Sequence, residues 1–95
     1  MKRGGDWKQI REGVYERVNI FKEIVDTNKL KQRLREIEKE IDEIERQMLQ
    51  PTKNTDERWK RIIELYNSEL EVEIHALEQE YDMIVETLEE VGEWQ

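Results

Sequence analysis

The residues best suited to chemistry are Glu71, His75, Glu78 and Asp82, which follow one another at spacings of 4, 3 and 4 and include the only histidine. On a helix that spacing puts three carboxylates and one imidazole on a single face. A hard or borderline cation could use such a donor set. The Glu-x-x-His pair that builds di-iron sites in helical bundles is missing, because Val72 stands three residues before His75. The simpler expectation is a solvated acidic face, with neither metal nor cofactor bound. Acid–base catalysis has no better foothold. With 24 Asp and Glu in 95 residues, neighbouring carboxylates are unavoidable, and a catalytic carboxylate needs a desolvated pocket to shift its pKa. The sequence has no cysteine, no Gly-rich phosphate loop and no Ser/His/Asp or zinc-ligand spacing. The chain is therefore expected not to be an enzyme.

Charge is distributed unevenly. The net charge is −8, yet residues 1–35 hold ten Lys and Arg against five Asp and Glu, and no Lys or Arg follows Arg61. The basic stretch Lys29–Arg35 could neutralise nucleic-acid phosphates, although the overall negative charge opposes direct binding. Conversely, the carboxylates of residues 62–95 could occupy a basic groove on another protein, as a DNA mimic does. A third explanation is internal: the basic front half pairs with the acidic rear half.

Hydrophobic periodicity describes the elements that would position these groups. Only 36% of residues are hydrophobic and 42% are charged, a composition that favours rods with narrow apolar seams over a thick core. Leu30, Leu34, Ile37, Ile41, Ile44 and Met48 are spaced 4, 3, 4, 3 and 4, an a/d heptad seam. Upstream, Trp7, Ile10, Val14, Val18, Phe21 and Val25 read as a second helical stripe, with Ile20 and Ile24 on an adjoining face. The two stripes differ in register at Asp26–Lys29, which marks a kink, a helix break or only a register shift; a continuous helix over about 7–49 is the favoured reading. Pro51 ends it, residues 50–54 form a loop, and Asn54 with Glu57 fits a capping box. A second helix over about 55–91 carries Trp59, Ile63, Tyr66, Leu70, Ile74, Leu77, Tyr81, Ile84, Leu88 and Val91, with Gly92 as C-cap. Leu65, Val72, Ala76 and Met83 make a weaker stripe beside it.

These elements predict one all-α domain, a long antiparallel helical hairpin resembling a coiled coil. Folded at Pro51, residue i lies opposite roughly residue 105 − i, which sets Lys29, Lys31, Arg33 and Arg35 near Glu69, Glu71 and Glu73. A lone hairpin buries little, so a homodimer or higher oligomer is expected, with two hairpins forming a four-helix bundle.

The predicted function is a non-enzymatic protein–protein interaction module: a homodimeric hairpin acting as adaptor, scaffold or small regulator of a protein complex. Its contact surface is expected at the apolar open end, from Trp7, Ile10, Val14, Phe21, Ile24, Met83 and Trp94, since Trp in particular is enriched in binding hot spots. Partners would be a second copy and another protein. No membrane partner is expected, because no apolar run exceeds three residues and residues 1–6 lack the features of a secretory signal; a soluble cytoplasmic protein is the reading. The second function class is an acidic DNA-mimic inhibitor of a nucleic-acid-binding protein. The third is a small metal-binding or catalytic bundle.

Overall fold

Ile10, Val14 and Val18 are four residues apart. Four is close to the period of a helix, but it is also an even number, so the same spacing keeps Val14 and Val18 on one face of a strand. The surrounding Val, Ile, Trp, Tyr and Phe suit a pleated surface, and the segment is a sheet. The computed structural model describes residues 7–18 and 21–94. Strands β1 (Lys8–Arg11), β2 (Val14–Val18) and β3 (Lys22–Asp26) form an antiparallel sheet in the order β1-β2-β3. The predicted first helix over 7–49 is thus replaced by strands and their turn over residues 8–18 and 22–26. A helix there would also have had to carry Gly13 in its interior. Instead Gly13 adopts φ 77° in the two-residue turn between β1 and β2, a left-handed conformation that glycine reaches without a Cβ penalty.

Asp26–Lys29 is a break and not a register shift. Asp26 ends β3 and caps helix α1 (Thr27–Gln47), its side chain accepting from the backbone N–H groups of Asn28 (3.1 Å) and Lys29 (3.3 Å). Helix α2 spans Glu57–Val91. Its N-cap is Asp56, whose carboxylate accepts from the Arg58 N–H, in place of the expected capping box at Asn54. The connection therefore covers residues 48–56, longer than the predicted 50–54. At the other end Gly92 closes α2 with φ 81°, its N–H and that of Glu93 returning to Glu89 and Leu88.

The heptad seam holds over residues 30–41. Leu34 and Ile37 pack with Ile84 and Leu88, and Leu30, Ile41, Leu77, Tyr81 and Val85 surround them. The register of the two helices differs from 105 − i. Arg33 Nε and Nη2 donate to Glu80 at 2.7 and 2.9 Å, and Lys31 Nζ donates to Glu93 at 3.2 Å. The Leu49 N–H donates to the Asn67 side chain at 3.0 Å, and that side chain returns a bond to the Leu49 carbonyl at 2.8 Å. The basic stretch thus lies along the C-terminal half of α2 and not beside Glu69–Glu73. The shift follows from the longer connection and from a first helix that starts at Thr27.

Lengths now differ. At 1.5 Å per residue α1 is about 32 Å long and α2 about 52 Å, and α1 ends at the level of Asn67, so residues 57–66 run on past it. The molecule measures 60 × 24 × 20 Å. It is two helices with a small sheet at one end, not an all-α hairpin. The four-helix bundle of two such hairpins falls with it, because the long first helix it requires does not exist. Among the described residues, no helix is long and apolar enough to cross a membrane.

Candidate functional site

The sheet reaches the helices through a polar face. Strand alternation puts Tyr15 and Arg17 of β2 on one side. The Tyr15 hydroxyl donates to Glu93 at 2.6 Å, and Arg17 lies 3.6 Å from Glu90 and 4.4 Å above the centroid of the Trp7 ring. Trp7 Nε1 also donates to Glu90, at 3.4 Å. Bonding from Tyr15, with Lys31 beside it, holds the Glu93 carboxylate below the usual carboxylate range, and Glu93 in turn pushes the Tyr15 hydroxyl up. Glu80 is likewise held down by Arg33. Trp7 and the last turn of α2 are therefore taken up in docking the sheet.

The opposite side of β2 and β3 carries Val14 and Ile24, which line a groove of about 720 Å³ with Leu30, Met83, Ile84 and Thr87. Arg11, Asp26, Lys29 and Glu80 rim it. Of the predicted contact residues, Val14, Ile24 and Met83 come together here. Val14 is buried, whereas Ile24 and Met83 are 58% and 69% exposed. Ile10 is exposed on β1 and Phe21 in the bend before β3, Trp94 follows the Gly92 cap, and Trp7 sits across the sheet against Arg17. Ile20 lies outside the described residues.

The groove opens onto a face of α2 that carries Ile62, Leu65, Val72, Ala76 and Met83, all exposed. Most of this face was visible in the sequence as the weaker stripe. The exposure of Trp59, Ile62 and Tyr66 was not, because nothing local indicates that α1 stops at the level of Asn67.

No protein family matches the chain, and neither a curated protein nor a solved structure matches it significantly.

His75 sits on a shallow second groove with Glu38, Glu78, Gln79, Tyr81 and Asp82. Its Nε2 is 3.3 Å from Gln79 Nε2, and the Tyr81 hydroxyl donates to Glu38 at 3.2 Å. Among the described residues, no group of three or more His, Asp or Glu is arranged to hold a metal ion. The helical spacing puts the four donors on one face without making them converge, since side chains one turn apart stay about 5–6 Å apart at Cβ unless a second element turns them inward.

Proposed function

We propose that the chain is a non-enzymatic protein–protein interaction module, a small adaptor or scaffold that docks through its apolar outer surface. One observation carries this reading. Among the described residues, twelve large hydrophobic side chains are exposed, against six hydrophobic residues in the buried core. Single exposed apolar residues need no explanation, but aligned ones mark contact surfaces. Here they run from Ile24 through the groove to Met83, Val72 and Leu65 along one side of the molecule.

A second reading, the acidic mimic of nucleic acid, rests on the exposed carboxylates of Glu69, Glu71, Glu73, Glu78, Asp82 and Glu89 on α2. Three other carboxylates of that helix and its C-terminus, Glu80, Glu90 and Glu93, are engaged by Arg33, Arg17 and Lys31. That leaves the acidic face less continuous than the sequence implies, so the apolar surface is preferred.

Photo-crosslinking separates the two. Benzoylphenylalanine replaces Phe21 or Val72 in one pair of variants and Glu78 in another, and each is irradiated in native lysate at low and high salt. The apolar reading expects discrete adducts at Phe21 or Val72 that persist in high salt, where charge-driven contacts are screened. Adducts only at Glu78, lost in high salt, would transfer the function to mimicry. Absence of adducts at both apolar positions would remove the interaction module.

A further inference from the structure

The exposed face of α2 has a regular pattern. Ile62, Leu65, Val72, Ala76 and Met83 occupy a and d positions of one heptad register, with the polar Glu69 and Gln79 completing it. This seam lies roughly 120° round the helix from the residues that pack against α1, so α2 has two seams and α1 covers one. A coiled-coil seam specifies another helix as its occupant, since knobs need holes of matching spacing.

We infer that the occupant is α2 of a second copy, packed antiparallel. Resting on the reading of the chain as an interaction module, this names one partner and one surface. Orientation follows from charge. Arg58, Lys60 and Arg61 are the only Lys and Arg of α2, all in its first two turns, while Glu78, Glu80, Asp82 and Glu89 lie toward its other end. Parallel pairing sets like against like along the whole helix. Antiparallel pairing about a twofold axis near Val72 sets Arg61 of each copy, at a g position flanking the seam, beside Asp82, at a g position of the other.

The same alignment accounts for the overhang and the groove together. With Val72 near the axis, Ile62 of one copy falls opposite Met83 of the other. The turns that run past α1, bearing Trp59 and Ile62, then lie at the height of the groove walled by Ile24, Met83, Ile84 and Thr87. Trp59 is 60% exposed in the single chain and enters that groove in the pair. Each copy supplies one projecting arm and one groove, so the contact closes on itself with two protomers. The buried side-chain surface is on the order of 1,000 Å², near the lower limit for a specific interface, which makes the dimer concentration-dependent.

The test uses sedimentation equilibrium and carbodiimide coupling on the full chain. An Arg61→Lys variant puts a reactive amine at the seam-flanking position; position 61 and Asp82 of one molecule are about 32 Å apart along a straight helix at 1.5 Å per residue, so an amide joining them can form only between copies. The expected result is a concentration-dependent dimer that, with Arg61→Lys, yields links from position 61 to Asp82 between ¹⁵N-labelled and unlabelled chains. Leu65→Glu with Val72→Glu should weaken the dimer at least about tenfold and abolish those links. Both positions are exposed, and an unchanged circular dichroism spectrum shows that the protomer still folds. A monomer at all concentrations overturns the proposal, as does a dimer indifferent to both substitutions. Intermolecular links from position 61 of that variant only to Glu57 or Glu64 overturn it in favour of parallel pairing. If the chain is monomeric but Val72 still photo-crosslinks another protein, the interaction module stands and only the second copy is excluded.

Discussion

The carbonyl of Gly13 accepts two hydrogen bonds from Thr27, one from its backbone N–H at 2.7 Å and one from its hydroxyl at 2.9 Å. Gly13 is the turn of the first hairpin and Thr27 the first residue of α1, so this pair fixes where the sheet meets the helix. Both residues are buried. A Cβ on Gly13 would approach the Asn28 side-chain nitrogen to 3.0 Å and the Thr27 hydroxyl to 3.4 Å. Gly13→Ala is therefore expected to cost about 1–2 kcal/mol, mainly from the positive φ. Thr27→Val removes one of the two donors and should cost about 1 kcal/mol. Urea unfolding monitored by circular dichroism measures both.

The core is small enough for single truncations to matter. Ile37 and Leu88 have no exposed surface, and replacing either by Ala should cost about 2–5 kcal/mol, a large fraction of the stability of a domain this size. Loss of a cooperative thermal transition is the expected outcome. Val72→Ala, at a position 70% exposed, should change the unfolding of the isolated protomer by less than about 0.5 kcal/mol. Equal effects at Leu88 and Val72 would contradict the packing described.

Acid should loosen the contact between the sheet and α2. Glu93, bonded by Tyr15 and Lys31, titrates below the usual carboxylate range in the folded chain, so the unfolded chain takes up the proton first. The contribution is complete above that range and lost as pH falls through and below it. Glu80 beside Arg33 acts in the same direction. The urea midpoint of the native chain should therefore drop on acidification, and Tyr15→Phe should make that drop shallower. A profile unaffected by Tyr15→Phe would remove Glu93 from the acid response.

Hydrogen exchange should follow the unequal helix lengths. In the Val72→Glu variant, kept monomeric, amides of residues 57–66 should exchange much faster than those of residues 77–88, because α1 supports only the latter. In the native chain, dimerisation should slow the 57–66 amides. Uniform protection along α2 in the monomeric variant would show that α1 does not end where Leu49 meets Asn67.

Several features were readable from local sequence. The seam from Leu30 to Ile41, the helix bearing Leu70, Ile84 and Leu88, the stop around Pro51 and the Gly92 cap each depend on residues close in the chain. So does the weaker stripe at Leu65, Val72, Ala76 and Met83, since an apolar period needs no partner to be visible. The start of the chain is ambiguous in sequence because the spacing of Val14 and Val18 satisfies both periods, and the turn between Ile10 and Val14 leaves a helix-like interval of four. Gly13, unfavourable inside a helix and well suited to a hairpin turn, was the signal that could have decided it.

Composition and periodicity by themselves determined that this protein builds elongated helices with narrow apolar seams, because backbone propensity and side-chain spacing act within a few turns. Tertiary structure alone decided which carboxylates meet Arg33 and Lys31, that Val14, Ile24 and Met83 share a groove, and that Trp59 stands past the end of α1. Those outcomes depend on how far one helix slides along another. That offset is set by packing between Leu34, Ile37, Ile84 and Leu88, residues that the sequence separates by some fifty positions.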